Sequence, residues 1–464
     1  MQIPPSYPAP PSPAAGGQIP AGLALAPFRG IRYAQDRVSG LAEVTSPPYD
    51  VIIRDKEDQL MAADPHNVVR LILPRQVGGR PGEEYQHAAT SLRRWQEDRI
   101  LVTDPVPALY VYEQASAGGD TPAWVQRGLI GALRLVPPDA GIVLPHEDVA
   151  AGPVAGRLAL MEATQANLEP IFLLYDGIGP AGDGSGLRGP ADKPGAAARI
   201  VSETATRESL IETTTSDGLQ HKLWAVTDPA DLEAIAADLV SRQALIADGH
   251  HRYAAYRQLQ ARRHQAGDGQ GPWDYGLALL VDSASYPPQI GAIHRVIPRL
   301  DVQYAVKLAA PAFAVRRVPG RPGELPAALS ELADASGDGP AFVLAGDDSA
   351  YLISHPDLAQ VHAAMPAGRS AAWRGLPAAI LQELLITTLW ELTDDDESVQ
   401  VVHHDAEAAV RAAHAAGGTA VLCSPMAPSE VYAVAARGER VPRKSTSFAP
   451  KPRTGLVFRS FAQG

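Results

Sequence analysis

Cysteine is almost absent from this sequence, and long apolar runs are missing altogether. Cys423 is the single cysteine, so the chain cannot form an internal disulfide, which is typical of a reducing compartment such as the cytoplasm. No apolar run approaches the ~18 residues that a membrane-spanning helix needs, and the N-terminus lacks a basic stretch followed by an apolar core. We therefore expect a cytoplasmic protein without a membrane span or a secretory signal.

An excess of basic residues is also missing. The chain has 40 Lys and Arg against 52 Asp and Glu, and its formal net charge is −12. Proteins that bind the nucleic-acid backbone usually present a basic face, and no helix-turn-helix with basic recognition residues is visible. The composition therefore argues against a nucleic-acid partner. Local basic groups would suit a small anionic ligand better.

The length of 464 residues predicts two or three domains. Gly and Pro make up about 18% of the residues, below the ~25–30% typical of disordered chains, so they mark loops and linkers. The predicted segments are a disordered extension at 1–22, an α/β domain at 23–175, a flexible insertion at 176–205, a phosphate-binding core at 206–300, and an α/β region at 301–464 whose tail returns to the core.

The hydrophobic patterns predict a mixed α/β fold with several lobes. Runs of β-formers predict strands at 27–33, 65–74, 108–113, 127–135, 170–175, 212–215, 221–226, 244–247, 275–282, 289–297, 341–344, 350–353, 399–403, 419–423 and 455–459. Helical periodicity predicts helices at 83–97, 228–241, 251–264, 302–310, 325–335, 378–392, 406–415 and 429–436.

The segment 244–256 is the most informative part of the chain. Four apolar residues at 244–247 predict a buried strand, Asp248-Gly249 a tight turn, and the following residues a helix. A helix that starts at the end of a strand directs unpaired N–H groups and its positive end toward that edge of the sheet, where anions bind well.

The polar residues of this turn match that geometry. His250, His251 and Arg252 add nitrogen-bearing side chains, and Asp248 adds a carboxylate that could hold Mg²⁺ or accept a proton. The structural alternative is an ordinary Asp-Gly turn followed by solvated side chains. Four chemically capable residues in succession are more than a plain turn requires, so we favour a phosphate site.

Three further groups of residues are candidates. His146 and Glu147 lie in a loop after a strand, where a site role and a plain surface loop are equally compatible with the sequence. His294 and Arg295 lie within a predicted strand, so at most one is expected to face inward, and a site role is favoured. The tail carries positive charges and hydroxyl groups that could donate hydrogen bonds to a phosphate, although its residues alone favour a solvated loop. These residues are Lys444, Ser445, Thr446 and Lys451.

Two tempting motifs are set aside. Cys423 lies inside an apolar strand and is expected to be a core residue rather than a nucleophile. His403-His404-Asp405 looks like a metal motif, but neighbouring residues of a strand point to opposite faces, which argues against joint chelation.

Motifs spread along most of the chain resemble the bacterial family called domain of unknown function 1015. The resemblance runs from about Leu23 to Phe458. The motifs are SPPYDVI (46–52), NVVRLILP (67–74), ALYVYEQ (108–114), RGLIGALRL (127–135), LPHE (144–147), GPVAGRLALM (152–161), ANLEPIFLLY (166–175), IADGHHRYAAY (246–256), the strand around His294-Arg295 and KSTSFAPK (444–451).

The segment 246–256 also resembles the phosphate-handling turn of the ParB/sulfiredoxin superfamily, and most closely that of its free-serine kinases. The resemblance implies that phosphate rests on the N–H groups of residues 249–252 and is clamped by His251 and Arg252. It implies Asp248 as the Mg²⁺ ligand or proton acceptor, with Glu147 as the second choice of base. His250 stands where sulfiredoxins have a cysteine, which argues against sulfinic acid repair.

The function that these features imply is a small-molecule kinase. Its donor would be ATP, ADP or pyrophosphate with Mg²⁺, and its acceptor a hydroxylated metabolite such as free serine; Lys444 and Lys451 would close over the phosphates. The alternatives are a nucleotide-binding switch without transferase activity and a phosphohydrolase. The sequence leaves the oligomeric state open.

Overall fold

The computed structural model describes residues 22–76, 80, 82–116, 124–177, 194–320, 323–346, 349–393, 395 and 397–463. The predicted disordered extension, apart from its last residue, and the centre of the predicted insertion lie outside the described residues. The chain forms two compact units. Unit 1 comprises Met1–Leu144, Val149–Pro287 and Pro450–Gly464, and unit 2 comprises Pro145–Asp148 and Pro288–Ala449.

The strands follow the chain in this order: β1 (Leu25–Ala26), β2 (Ile31–Tyr33), β3 (Leu101–Thr103), β4 (Leu109–Ser116), β5 (Val125–Arg134), β6 (Val143–Leu144), β7 (Ala166–Asn167), β8 (Ile171–Tyr175), β9 (Ile211–Thr214), β10 (Leu219–Val226), β11 (Ala244–Asp248), β12 (Tyr275–Asp282), β13 (Gln289–Ile290), β14 (Ile293–Ile297), β15 (Ala314–Val318), β16 (Phe342–Ala345), β17 (Ala350–Ser354), β18 (Gln400–His403), β19 (Thr419–Cys423), β20 (Phe448–Ala449) and β21 (Arg459–Ser460).

The helices are α1 (Leu41–Val44), α2 (Arg54–Ala63), α3 (Val69–Ile72), α4 (Glu83–Glu97), α5 (Ala151–Thr164), α6 (Ala196–Thr204), α7 (Pro229–Leu239), α8 (His250–Gln265), α9 (Val302–Ala309), α10 (Leu325–Gly337), α11 (Leu358–Ala364), α12 (Ala371–Arg374), α13 (Pro377–Ala379), α14 (Ala406–Ala415) and α15 (Pro428–Ala435). A π-helix, Ile380–Leu389, directly follows α13. Within the described part of the chain, no helix is both long enough and apolar enough to cross a membrane.

Unit 1 is built on a nine-stranded sheet in the order β6-β11-β8-β12-β5-β4-β10-β9, with β1 paired to β5. Most neighbours are antiparallel, whereas β12 runs parallel to β8 and β11 parallel to β6. From its second residue β12 is buried throughout, as its nearly continuous apolar sequence predicts for a strand covered on both faces. The sheet combines strands from the segments predicted as separate domains at 23–175 and 206–300.

Helix α8 packs on this sheet through the face that its periodicity predicts. Tyr253, Tyr256 and Leu259 are all buried in the main core of unit 1. The Tyr256 ring lies so close to Gly276 of β12 that a Cβ there would come within 2.3 Å of its Cδ2 atom. The hydroxyls of both tyrosines donate to backbone carbonyls, Tyr253 to Val136 at 2.8 Å and Tyr256 to Glu169 at 3.0 Å, so α8 has a fixed position on the sheet.

Unit 2 contains a six-stranded antiparallel sheet in the order β15-β17-β16-β19-β14-β18. A core of small and branched apolar side chains, including Val296, Val343 and Leu422, joins it to the alanine-rich face of α14. The predicted helix at 378–392 is present as the short α13 followed by the π-helix, so its hydrogen-bond pattern differs from the expected α-helix.

Several local predictions are confirmed. Helix α4 spans the predicted residues, and β4 and β5 form the predicted antiparallel pair. Helix α7 starts where the sequence predicts it, because the Asp228 side chain accepts a hydrogen bond from the Ala230 N–H at 2.8 Å.

The predicted strand at 65–74 is wrong, because residues 69–72 form helix α3. The Asn67 side chain decides this conformation: its Oδ1 accepts from the Val69 N–H at 2.9 Å and its Nδ2 donates to the Glu43 carbonyl at 2.6 Å. Tertiary contacts here override the strand preference of β-branched residues. The end of the predicted insertion is likewise helical, as the largely buried α6.

The strands predicted at 27–33 and 455–459 are shorter than expected. Only β2 and β21 form there, supplemented by single bridges between Phe28 and Ala108, between Ile31 and Phe458, and between Ser46 and Thr454. Two of these bridges, Ile31–Phe458 and Ser46–Thr454, join the N-terminal segment of unit 1 to its C-terminal segment.

Candidate functional site

The turn between β11 and α8 has the predicted strand–turn–helix form. Asp248 is the last residue of β11, and Gly249 precedes the helix with φ +93°, a left-handed conformation that favours glycine. A Cβ at this position would lie 2.9 Å from Ile171 Cγ2 and 3.2 Å from Arg252 Nε. The N-cap residue Gly249 has no side chain with which to cap the first turn of α8. The backbone therefore approaches the end of the sheet more closely than any residue but glycine allows.

The first turn of α8 carries an unusual set of charges. It contains no acidic residue, and its first three positions are His250, His251 and Arg252. The N-terminus of a helix is its positive end, so acidic side chains are normally favoured and basic ones disfavoured there. The N–H groups at the start of α8 and the positive end of this helix are features that anion sites in other proteins share.

Arg252 is buried, and its guanidinium group donates hydrogen bonds to other residues of the chain. Its Nη2 donates to Asp248 Oδ2 at 2.5 Å and its Nη1 to the Pro170 carbonyl at 2.7 Å. Burial alone would lower the pKa of Arg252, but the carboxylates of Glu169 and Asp248 outweigh it and raise the pKa, so the group stays charged. The predicted phosphate clamp is thus engaged with Asp248, and its Nε, buried beside Gly249, donates to no described residue.

Lys451 joins Asp248 from the tail of the chain. Its Nζ lies 2.5 Å from Asp248 Oδ1 and 2.8 Å from Asp50 Oδ2. Burial lowers the pKa of Lys451, but the two carboxylates outweigh that effect and raise it. The side chains of Asp50 and Lys451 are 34% and 24% exposed, against 9% for Asp248. The first two therefore remain accessible to a ligand.

Asp50 is held in place by its neighbour Tyr49. The Tyr49 N–H donates to Glu169 Oε1 at 3.1 Å, and its ring lies 4.2 Å from the Arg157 guanidinium carbon. Arg157 is fixed in turn by the Ile72 carbonyl, to which it donates at 2.7 Å. Stacking of a guanidinium on an aromatic ring stabilises both groups, so Asp50 sits on a rigid support.

His250 and His251 occupy the first two positions of α8. His250 is buried at the first position of α8. His251 uses its Nε2 to accept a hydrogen bond from the Ala150 N–H at 3.1 Å, which requires this nitrogen to be unprotonated. Nε2 of His251 is therefore a hydrogen-bond acceptor in this arrangement, and the phosphate-binding roles predicted for the two histidines stay predictions.

A second group of predicted residues comes together within unit 2. The Thr446 hydroxyl lies 2.8 Å from His146 Nε2 and donates to Glu147 Oε1 at 3.0 Å. Because that hydroxyl has a single proton, His146 is the donor in the first contact. Ser445 is buried and donates to the Pro442 carbonyl, whereas Lys444 is exposed and has φ +54°.

His294 and Arg295 are both buried, so the expectation that only one would face inward is wrong. Their strand β14 lies between β19 and β18, and all five of its residues are buried, so both of its faces are covered. His294 Nδ1 accepts from the Cys423 N–H at 3.2 Å, and burial lowers the pKa of His294 to about 4. Arg295 donates to backbone carbonyls, including Lys444 at 2.8 Å. Burial also raises the pKa of the Cys423 thiol to about 11, which makes it a poor nucleophile.

Comparison with protein families gives a match over most of the chain. The model described as "Protein of unknown function (DUF1015)" matches residues 25–379. The chain belongs to the DUF1015 family. No curated protein matches it.

Solved structures that resemble this DUF1015 protein include a free serine kinase in complex with AMP, at 14% identity, covering 68% of this chain and 88% of that chain with a TM-score of 0.32. SbnI with a C-terminal truncation from Staphylococcus aureus is 11% identical, with 70% of this chain and 85% of that chain covered and a TM-score of 0.32. A conserved hypothetical protein from Pyrococcus furiosus is 13% identical, with 66% of this chain and 87% of that chain covered and a TM-score of 0.31. TM-scores of this size leave the function to be argued from the residues of the DUF1015 protein itself.

Sequence reasoning missed Asp50, the accessible carboxylate beside Lys451. Asp50 lies in the SPPYDVI motif, which by itself predicts only a rigid turn because its two prolines fix the backbone. Nothing local indicates that Asp50 meets Lys451, which is 401 residues away in the chain. The signal that could have found it is the motif itself, since an acidic residue directly after a rigid turn is held in a fixed position.

Proposed function

We propose that unit 1 is a small-molecule phosphotransferase whose phosphate donor binds at the β11–α8 turn. The observation that carries the proposal is the Lys451 ammonium, held between Asp248 and Asp50 within 2.8 Å of both at the start of α8. Phosphoryl transfer needs charge neutralisation, a group that orients the acceptor hydroxyl, and rigid placement of both. This cluster supplies each of them.

Donor binding is supported by the first turn of α8. The positive end of this helix and the close backbone approach at Gly249 favour a phosphate oxygen over a neutral ligand at this helix N-terminus. Lys451 adds a cation on a long side chain, which can turn from carboxylate to phosphate without leaving the site. ATP, ADP and pyrophosphate share this chemistry and are the donors that we propose.

We assign the acceptor proton to Asp50. The acceptor hydroxyl oxygen forms a new bond to the terminal phosphorus, the bond from that phosphorus to the leaving phosphate oxygen breaks, and the hydroxyl proton passes to the Asp50 carboxylate. Oδ2 of Asp50 binds Lys451, whereas its Oδ1 accepts no hydrogen bond from any described residue. A hydroxylated metabolite such as free serine is the acceptor class, as the likeness of 246–256 to free-serine kinases implies.

Asp248 takes a positioning role in this proposal instead of the catalytic and metal-binding roles expected from the sequence. Its Oδ2 binds Arg252 and its Oδ1 binds Lys451, so both oxygens already face cations. The donor phosphates are the groups that would hold Mg²⁺, and Oδ1 of Asp50 is kept for the acceptor proton. Bound there, Mg²⁺ would neutralise charge on the transferring group.

One assay separates this proposal from its alternatives. The full chain is incubated with Mg²⁺, a panel of ATP, ADP and pyrophosphate, and a panel of hydroxylated amino acids and sugars, and phosphorus NMR follows the products. A new phosphoester supports the phosphotransferase. Orthophosphate alone would instead indicate a phosphohydrolase, and tight nucleotide binding without turnover a regulatory switch.

A further inference from the structure

Unit 2 contains a cavity of about 630 Å³ that is separate from every residue predicted from the sequence to act in catalysis or binding. It lies beside the C-terminal end of α10, around α11 and against the segment that leads into the π-helix. Its basic lining residues are His355, His362, Arg369 and Arg374. Cavities of roughly 300–1,000 Å³ with a few converging polar groups are typical small-molecule sites.

The two arginines of this cavity have no acidic partner among the residues that the structure describes. Neither guanidinium forms an ion pair with a carboxylate of those residues, and Nε of Arg374 is buried without a hydrogen-bond acceptor among them. Asp338 also lines the cavity but forms no ion pair with any described side chain. A buried donor without an acceptor is unfavourable, and such groups in folded proteins call for an explanation. An anionic ligand would give the two guanidinium groups the counter-charge that no described residue provides.

Arg369 also rests on a fixed support. The Arg369 guanidinium carbon lies 4.7 Å from the centre of the Trp373 ring, and Trp373 is 2% exposed. The Trp373 indole N–H donates to the Arg440 carbonyl at 2.8 Å, and the Ser370 N–H donates to Glu439 Oε1 at 3.0 Å. A cation whose support is fixed loses little entropy when it binds an anion.

The remaining wall is apolar. Val361 and Ile380 line the cavity, together with Leu358, whose 78% exposure is unusual for a leucine. We propose that this cavity binds a small organic oxyanion, with its phosphate or carboxylate on Arg369 and Arg374 and its apolar body against these three side chains. Arginine forks match the planar or tetrahedral oxygens of such groups.

The test uses the full chain and two probes, phenyl phosphate and benzoate, which share an aromatic body and separate phosphate from carboxylate recognition. Amide hydrogen exchange, read by mass spectrometry, reports where each probe binds, and calorimetry reports its affinity. We expect at least one probe to slow exchange in peptides that cover residues 355–375. Benzyl alcohol, which lacks the anion, should bind at least tenfold more weakly.

Arg374→Ala should weaken the binding of that probe at least tenfold and remove the protection at 355–375. Arg369→Lys, which keeps the charge but not the fork, should weaken it less. Arg317→Ala is the matched control, because Arg317 is an exposed arginine of the same unit. Circular dichroism melting checks that each variant is folded. Absence of protection by both probes, or equal affinity in Arg374→Ala and Arg317→Ala, would overturn the proposal, which does not depend on the function proposed for unit 1.

Discussion

Asp50 and Asp248 bind the same ammonium group from very different environments. The Asp50 side chain is partly exposed, whereas Asp248 is almost fully buried between Lys451 and Arg252. A proton acceptor has to reach the substrate, and a buried ion pair holds its surroundings in place. The two residues should therefore respond differently to the same isosteric change.

Asp50→Asn is expected to lower the turnover of phosphoryl transfer by about 10²–10⁴-fold, the usual contribution of a general base. The affinity for the donor should change little, because Lys451 and the first turn of α8 remain. Single-turnover kinetics with phosphorus NMR and calorimetric donor binding measure the two quantities. Turnover within a factor of two of the unmodified protein would remove Asp50 from the mechanism.

Asp248→Asn is expected to destabilise unit 1 by about 3–5 kcal/mol, because it leaves the buried Arg252 charge without its closest carboxylate. Urea unfolding followed by circular dichroism measures the loss. Asp58→Asn serves as the control, since Asp58 forms an exposed ion pair with Arg75 and its removal should leave the unfolding midpoint nearly unchanged. Equal midpoints for the two variants would show that Asp248 has no positioning role.

At the scale of elements, the start of α8 depends on the one conformation that only Gly249 adopts easily. Its φ is +93°, and a Cβ would meet the buried Ile171 side chain at 2.9 Å. Gly267, just after the other end of α8, has a similar φ of +87°, but no described atom lies within 4 Å of the place where its Cβ would be. Comparing alanine substitutions at these two glycines therefore separates the cost of the left-handed backbone from the cost of steric contact with Ile171.

Gly267→Ala should cost about 1–2 kcal/mol, the strain of a left-handed alanine. Gly249→Ala should cost at least about 1 kcal/mol more, because overpacking against a β-strand side chain adds to that strain. Urea unfolding compares the two variants directly. If they are equally stable, the backbone at Gly249 is not packed as closely as the proposed phosphate site requires.

Elements with a strong local signal were predictable, and those set by distant partners were not. Helix α4 follows from its own periodicity, and α7 from its Asp228 cap. Residues 69–72 have strand-forming side chains, but Asn67 ties this segment to the Glu43 carbonyl and directs it into α3. In the same way, both faces of β14 are covered, which no alternation in its sequence reveals.

At the scale of the whole molecule, buried histidines give stability a defined pH dependence. His221 is 2% exposed and bonded to Tyr112 and Thr215, and burial lowers its pKa from 6.5 to about 4. Below pH 6.5 the unfolded chain takes up a proton that the folded chain does not, so folding stability falls as the pH is lowered from 6.5 toward 4.

His221→Gln should remove that dependence, which amounts to about 3 kcal/mol over the full range. Urea unfolding at pH 7, 6 and 5 tests this, because the difference in stability between the two proteins should shift in favour of the variant as the pH falls. His294→Gln provides the comparison in unit 2, where the pKa is also lowered to about 4. A difference that stays constant with pH would contradict the assignment.

The amino-acid sequence by itself determined the family, the mixed α/β composition and the strand–turn–helix at 244–265, because each depends on local periodicity, turn chemistry and motifs. Tertiary structure alone decided which charges meet. Asp50, Asp248 and Lys451 come from three distant parts of the chain, and only the folding of unit 1 brings them together. An ion pair forms only when two charges lie within a few ångströms of each other. The number of residues between two positions in the sequence does not determine that distance.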